Sequence, residues 1–266
     1  MNGIEQLKAA FEKRRAEGRK VLIPYITAGD PDLETTGDVL DALVAGGADI
    51  IELGVPFSDP MADGPVIAAA SVRALENGFS MDAILDVSRS FHARHPHVPI
   101  ILFGYYNPFF QYGHSALAEA AAEAGVSGVL CVDCPPEEAV SFHESLVAHG
   151  LALIPLVTPT SDAARLEKIG SLANAFAYYV SVTGVTGSAL VGQEAIAERA
   201  GQVRQQLDVP LVVGFGIRTP DDARCVSQNV DGVVVGSALV QTLLDTAPEA
   251  RAKEAQMFIT ALRDAV

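Results

Sequence analysis

The amino-acid sequence predicts an α/β fold, a single (β/α)8 TIM barrel with an extra N-terminal helix. A short apolar run rich in β-branched residues, then a turn, then a longer amphipathic stretch recurs eight times. The runs are apolar almost throughout, which is typical of parallel strands covered by helices. Hydrophobic residues make up 49% of the chain, enough for a large core. No shift in composition marks a boundary, so residues 1–266 are expected to form one domain.

Each unit has a predicted strand and helix. The strands are expected at 21–27, 49–54, 99–105, 128–133, 152–157, 175–182, 210–214 and 231–236. Helical patterns lie at 34–45, 66–77, 81–94, 115–124, 136–149, 161–172, 192–206, 220–228 and 247–265. Residues 2–17, with apolar side chains at helical spacing, predict a helix that covers the bottom of the barrel. A doubly wound open sheet would usually carry a glycine fingerprint after its first strand, and residues 27–31 read TAGDP instead.

The charge balance indicates what kind of partner the protein binds, and the cysteine content indicates its cellular location. Lys and Arg number 18 and Asp and Glu 33, a net charge of −15 with no concentrated basic stretch. This balance argues against nucleic acid and anionic membranes as partners, and favours a small molecule or a protein. Three cysteines without framework spacing, a charged N-terminus and no long apolar run lead us to expect a cytoplasmic protein.

Carboxylates dominate the predicted active face, which in such barrels lies at the C-terminal ends of the strands. Glu52 interrupts an apolar strand, where loss of water would raise its pKa and suit it to general acid and base catalysis. A Glu bonded to a backbone group or an Arg fits the spacing equally well. Asp63 lies either in a lid loop or at the N-cap of the next helix. The other carboxylates of this face are Asp30, Asp59 and Asp133.

Three glycine turns follow neighbouring strands. They are GVTG at 184–187, GFG at 214–216 and GS at 236–237, the last directly before an apolar helical stretch. Each glycine alone would be only a turn residue. Together, the backbone amides of small residues at a helix N-terminus predict a phosphate site, which many barrels have after strands seven and eight.

The positions of the lysines, histidines and cysteines exclude or disfavour several types of catalysis. None of the five lysines stands in or after a predicted strand, so a Schiff-base aldolase is not expected. His92, His95 and His97 fall before strand three, where a helix C-terminus is a better interpretation than a metal site. Cys131 and Cys134 have the spacing of a redox pair, although a buried thiol beside a loop thiol is the preferred interpretation. The reaction classes that remain are carbon–carbon bond chemistry and isomerisation of a phosphorylated substrate, without a metal ion or an imine intermediate.

Six segments carry a resemblance to a known family, in order and over nearly the whole chain. The sequence ELGVPFSDPMADGP at 52–65 resembles the signature of tryptophan synthase alpha subunits. The others are PYITAGDP at 24–31, YYNP at 105–108, DCPPEE at 133–138, SVTGVTG at 181–187 and GFGI at 214–217.

The resemblance implies a (β/α)8 barrel that cleaves indole-3-glycerol phosphate to indole and glyceraldehyde 3-phosphate by a retro-aldol reaction. It implies that Glu52 is the general acid and base and that Asp63 binds the indole N–H. Tyr25 departs from a position that is often Phe in the family. The implied substrate contacts are Tyr25, Phe103, Tyr105, Leu130, Tyr178, Thr186 and Phe215, and the implied phosphate contacts are Gly187, Gly216, Gly236 and Ser237.

The same resemblance implies a beta subunit as partner in an α₂β₂ complex. The expected pyridoxal phosphate belongs to that partner, and no cofactor is expected in this chain. Loops 56–63 and 182–195 would close over substrate, and Asp59, Asn107 and Phe110 match positions near the partner. Two alternatives stay open: another phosphate-binding barrel enzyme, such as a sugar-phosphate isomerase or a thiamin-pathway synthase, and a weakly catalytic activating subunit.

Overall fold

A computed structural model describes residues 1–78, 80–180, 193–214 and 216–266. In this part of the chain nine strands form one parallel sheet, in the order β5-β4-β3-β2-β1-β9-β8-β7-β6. The strands are β1 Val21–Thr27, β2 Ile51–Gly54, β3 Ile100–Gly104, β4 Gly128–Cys131, β5 Ala152–Leu153, β6 Leu156–Val157, β7 Ala177–Tyr179, β8 Leu211–Val213 and β9 Gly232–Val235.

The sheet closes on itself through one predicted strand that is split in two. β5 pairs with β4 and β6 pairs with β7, yet only Ile154 and Pro155 separate them. The Ile154 amide donates to Val129 on one side, and the Pro155 carbonyl accepts from Tyr178 on the other. Because Pro155 has no N–H, the ladder is interrupted there while the segment still bridges both neighbours. The predicted eight-stranded barrel is therefore confirmed, with its fifth strand divided.

Helices cover the outside of the sheet. They are α1 Gly3–Ala16, α2 Leu33–Ala45, α3 Pro65–Glu76, α4 Met81–Arg94, α5 Tyr106–Tyr112, α6 His114–Glu123, α7 Val140–Ala148, α8 Ala163–Leu172, α9 Gln193–Arg204, α10 Pro220–Ser227, α11 Ser237–Asp245 and α12 Arg251–Arg263, with a 3-10 turn at Pro248–Ala250. The short α5 was not predicted, and α7 begins four residues later than expected. Among the described helices, none has the length and apolarity needed to cross a bilayer.

Alternation along the strands divides the core into an inner and an outer cluster. In β9, for example, Val234 belongs to the inner cluster, whereas Val233 and Val235 belong to the outer one. The inner cluster fills the barrel, and the outer cluster lies between strands and helices. Because successive strand side chains point to opposite faces, the strands need apolar residues on both faces to supply the two clusters.

The bottom of the barrel is covered by α1, as predicted. Leu7 and Phe11 of this helix belong to the inner cluster, and the Phe11 and Phe176 rings lie 5.3 Å apart. The helix begins with a capping box between Asn2 and Glu5. His95 ends α4, with its Nε2 2.9 Å from an Asp41 oxygen, in agreement with the helix-end interpretation of the histidine cluster.

A buried ion-pair network joins both ends of the chain below the barrel. Asp49, whose side chain is 6% exposed, accepts from the Arg263 guanidinium at 2.6 Å and from Arg14 Nε at 2.5 Å. The same carboxylate accepts from the Leu22 amide at the start of β1. The network thus ties α1, β1 and α12 together, and its cations are themselves largely buried.

We expect Asp49→Asn to lower the free energy of unfolding by about 3 kcal/mol, because it leaves buried arginine charge uncompensated. Asp86→Asn is the control, since its ion pair with Arg89 is exposed and should contribute less than about 1 kcal/mol. Urea denaturation followed by circular dichroism measures both, as the chain has no tryptophan. Equal losses in the two variants would contradict the expectation.

Candidate active site

A cavity of about 250 Å³ opens at the C-terminal ends of the strands. Its walls are mainly apolar, with two carboxyl groups and a few hydroxyl and backbone groups. This composition is typical of sites for small organic ligands. The lining residues are Tyr25, Glu52, Ala62, Asp63, Gly64, Ile67, Phe103, Val132, Leu156, Thr158, Tyr178, Val180, Gly214, Gly216, Ile217, Val234, Gly236 and Ser237.

Glu52 is a fully buried carboxyl in the middle of β2. Its side chain points into the barrel, as does that of Ile50 two residues earlier, and it forms part of the cavity wall above Ile50. Among the described residues neither of its oxygens has a hydrogen-bond partner, which contradicts the alternative of a Glu bonded to backbone or Arg. Burial raises the pKa of Glu52 well above its ordinary value, which favours the protonated form in the empty cavity.

Asp63 lies at the mouth of the same cavity. Helix α3 begins after Gly64 without any side-chain cap, so Asp63 is not the N-cap that the sequence left open. Burial raises the pKa of Asp63 to about 6, and the nearby Tyr105 hydroxyl acts in the opposite direction. The Tyr105 hydroxyl also accepts from the Ala62 amide at 3.0 Å, which holds this loop over the strand ends.

Three aromatic side chains form one wall of the cavity. The Tyr25 and Phe103 rings meet edge to face at 5.2 Å, and Phe103 and Tyr178 at 6.4 Å. The Tyr178 hydroxyl donates to the Gly214 carbonyl at 3.3 Å, and that of Tyr25 lies 3.3 Å from the Thr27 hydroxyl. Burial and the nearby carboxylates raise the pKa of both tyrosines, so both stay neutral. They offer flat apolar surface with hydroxyls at its edge.

The remaining carboxylates of this face have structural partners. Arg73 of α3 forms two hydrogen bonds to Asp30, at 2.8 and 2.7 Å. Asp133 accepts from the Tyr106 amide at the start of α5, and Asp59 from the Ser58 hydroxyl. None of the three lines the cavity. Among the described residues, the cavity therefore keeps only Glu52 and Asp63 for chemistry.

Glycine residues and a helix N-terminus form another part of the cavity lining. Gly236 precedes α11, and Ser237 is its first residue. Gly216 has a φ of +80°, a left-handed conformation that favours glycine, and its carbonyl accepts from Gln193 at 2.7 Å. No described lining residue is Lys or Arg. An anion would here be bound by backbone amides and the helix dipole.

The structure brings most of the sequence-predicted site residues together. Leu130 is an exception: it belongs to the inner cluster but is not among the residues that line the cavity. Tyr105 is also absent from the lining and contacts the Asp63 loop instead. Thr186, Gly187 and Phe215, with most of loop 182–195, lie outside the described residues.

Sequence reasoning missed several lining residues. Val132, Leu156, Thr158 and Val180 line the cavity because each lies at an even spacing beyond an inward residue of its strand segment. Counting by twos from Leu130, Ile154 or Tyr178 would have found them. Ile67 comes from α3 and carries no such signal. Within the described residues, no group of three or more potential metal ligands comes together.

The fold and the cavity are those of an enzyme of the parallel-barrel class, in which two desolvated carboxyl groups and a helix N-terminus line one mainly apolar cavity. The family model for the tryptophan synthase alpha chain matches residues 11–265. This chain belongs to that family, whose members are lyases that cleave indole-3-glycerol phosphate.

Individual relatives agree over the full length. The tryptophan synthase alpha chain of Laribacter hongkongensis is 49% identical over 243 residues, 91% of each chain. That of Geobacter sulfurreducens is 46% identical over 263 residues, 99% of each chain. The crystal structure of tryptophan synthase subunit alpha from Legionella pneumophila matches with a TM-score of 0.92 and 40% identity, covering 100% of this chain and 98% of that chain.

We expect Glu52→Gln to stabilise the fold in mildly alkaline buffer. A carboxyl whose pKa is raised on folding binds its proton more tightly in the folded chain, so it destabilises the fold as pH rises above 4.5. The gain should grow as pH rises and should vanish in acid, where the carboxyl is protonated in both the folded and the unfolded chain. Glu137→Gln is the control of opposite sign, because Lys168 and Arg165 lower the pKa of Glu137 to about 2. Urea unfolding across pH measures both; a Glu52→Gln chain no more stable than its parent would contradict the expectation.

We expect Gly54→Ala to destabilise the cavity wall by about 1–3 kcal/mol through overpacking. A Cβ at position 54 would meet the Tyr25 hydroxyl first and lie only 2.6 Å from its Cζ. Adding Tyr25→Phe should restore part of the loss, because it removes the nearest atom. Gly37→Ala, in open space on α2, should not destabilise. Urea unfolding of these variants and of the Tyr25→Phe single variant measures the losses. A double variant that is no more stable than Gly54→Ala would exclude this contact as the cause.

Proposed function

We propose that this chain cleaves indole-3-glycerol phosphate with Glu52 as general acid and base and Asp63 as the electrostatic partner of the indole nitrogen. The observation that carries the proposal is the pair of carboxyl groups in one apolar cavity with different environments. Glu52 is fully buried and favours its proton, whereas Asp63, with a pKa of about 6, is an anion at neutral pH. One neutral and one charged carboxyl are what proton donation beside a developing cation requires.

The reaction needs two proton transfers through Glu52. Protonated Glu52 gives its proton to C3 of the indole ring, and the positive charge that appears on the ring nitrogen is stabilised by the Asp63 carboxylate. The Glu52 carboxylate then takes the proton of the hydroxyl on the adjacent side-chain carbon. As that carbon becomes the aldehyde of glyceraldehyde 3-phosphate, the carbon–carbon bond breaks and its electron pair returns to the ring. Indole leaves, and Glu52 is protonated again.

Substrate orientation follows from these two parts of the cavity lining. The indole ring would lie on the wall of Tyr25, Phe103 and Tyr178, with its N–H toward Asp63. The phosphate would meet amides at Gly216, Gly236 and Ser237, and we expect Gly187, Thr186 and Phe215 to complete this binding. Tyr105 would position Asp63 rather than contact substrate, and Leu130 would support the floor of the cavity.

A beta subunit is the proposed partner, in an α₂β₂ complex that passes indole from one chain to the other. Two residues expected near this contact, Asn107 and Phe110, lie on α5 beside the cavity, and the Phe110 side chain is 57% exposed. Asp59 is exposed in the neighbouring loop. Pyridoxal phosphate would belong to the partner, with no cofactor in this chain, and a cytoplasmic location fits this metabolic role.

Glu52→Gln tests the proposal directly. The variant keeps the cavity volume but has no proton to donate, so indole release should fall by about 10²–10⁴-fold while substrate binding measured by calorimetry is kept. Asp30→Asn is the matched control: it removes a carboxylate from the same face that does not line the cavity, and cleavage per folded molecule should be unchanged.

The assay is run on the purified chain with and without a beta subunit. Normal turnover by the Glu52→Gln variant would overturn the role of Glu52. No indole release by the unaltered chain under either condition would overturn the activity itself and favour an activating subunit. Turnover of a different phosphorylated substrate would favour another barrel enzyme.

The pH dependence of cleavage should report Asp63. Because its carboxylate form predominates only above a pH of about 6, we expect kcat/KM to fall as pH drops through that value. A second fall is expected at high pH, where Glu52 loses its proton before substrate binds. The Asp63→Asn variant should have low activity, and its kcat/KM should no longer decrease as pH drops through about 6. If the decrease persists in this variant, another group causes it.

A further inference from the structure

The two thiols of the segment Cys131-Val132-Asp133-Cys134 lie on the same side of the sheet. Cys131 is the last residue of β4 and is buried in the outer cluster. Cys134 follows the turn, is half-buried and packs against the same cluster. Two intervening residues give the spacing of dithiol motifs that exchange with disulfides. The cleavage mechanism uses neither thiol.

A second cavity, of about 420 Å³, makes this pair accessible from outside the barrel. Both cysteines line it, together with Ser161 and Arg165. The lining is mainly apolar and includes the Asp133 carboxylate, while the Arg165 guanidinium is paired with Glu137. The cavity thus gives the sulfur-bearing part of a low-molecular-weight disulfide a path to both cysteines.

The two thiols differ in acidity. The neighbouring Cys131 thiol lowers the pKa of Cys134, while the same contact and burial raise the pKa of Cys131. Because the thiolate is the nucleophile in thiol–disulfide exchange, Cys134 would attack first and Cys131 second. The more exposed sulfur is therefore also the more reactive one.

We propose that Cys131 and Cys134 form a reversible disulfide by exchange with a low-molecular-weight disulfide, and that the oxidised form cleaves substrate more slowly. The Cys134 thiolate attacks one sulfur of the small disulfide and releases the other half as a thiolate, which gives a mixed disulfide. Cys131 then loses its proton to solvent and attacks the Cys134 sulfur, which releases the second half. Two protein thiols are oxidised, and one small disulfide is reduced to two thiols.

The effect on cleavage follows from the residues between the cysteines. A disulfide fixes the distance and direction of the two Cβ atoms and so fixes the turn. Val132 in this turn lines the catalytic cavity, and Asp133 holds the Tyr106 amide at the start of α5. Tightening the turn therefore moves a cavity wall. Displacements of this kind slow reactions because geometry near the reacting atoms is lost.

The experiment uses the full chain with Cys225→Ser, which removes the only other cysteine, incubated in oxidised glutathione. Peptide mass analysis should find residues 131 and 134 linked, with the mass of two hydrogen atoms lost. Indole release should fall up to about tenfold and recover fully on reduction. The reduced Cys225→Ser chain should match the unaltered chain in activity.

Two further variants separate the outcomes. Cys131→Ser should stop at a stable mixed disulfide on Cys134, and Cys134→Ser should neither react nor lose activity. If the Cys225→Ser chain stops at a mixed disulfide with glutathione, or does not react at all, the proposed dithiol site is wrong. A complete 131–134 disulfide with unchanged indole release would overturn its coupling to cleavage, whether or not Glu52 has its proposed role.

Discussion

The arrangement of the candidate active site depends on one constraint: the Glu52 carboxyl is buried and has no hydrogen-bond partner among the described residues. Such a carboxyl is costly unless it stays protonated, and it can stay protonated only where water and cations are kept away. The inner cluster below it, the aromatic wall beside it and the absence of Lys and Arg from the described lining all meet this condition. Gly54 directly above leaves room for the Tyr25 hydroxyl, so the wall closes over the carboxyl without a charge.

The other acidic groups show how the fold separates structural from reactive carboxylates. Asp30 and Asp133 follow strands β1 and β4, where Arg73 forms an ion pair with Asp30 and the Tyr106 amide donates a hydrogen bond to Asp133. Asp63 would serve as a helix cap in many loops, yet Gly64 takes that position and leaves its carboxylate at the cavity mouth. Asp30 and Asp133 thus bond to an arginine and a backbone amide outside the cavity, whereas Asp63 lines the cavity beside the neutral Tyr105 hydroxyl.

Much of the fold could be predicted because both faces of every strand are apolar and the turns between units are clear. The sequence could not show that Pro155 divides the fifth strand, since hydrogen bonding on its two sides depends on strands far away along the chain. Helix α5 was not predicted because it is short and contains Pro108. Proline usually indicates a turn, but it is tolerated in the first turn of a helix. Whether an inward residue such as Leu130 reaches the cavity lining could not be predicted, because parity gives the direction of a side chain but not its depth along the barrel.

The glycine-lined part of the cavity has a consequence for how an anionic substrate arrives. With a net charge of −15 and no cationic side chain among the described lining residues, the protein would repel a phosphorylated molecule at long range, and the proposed phosphate contacts are short-range amide dipoles. Salt screens the long-range repulsion and barely affects contacts inside the cavity. Association should therefore become faster as ionic strength rises, the reverse of the behaviour of enzymes that attract phosphates with lysine and arginine.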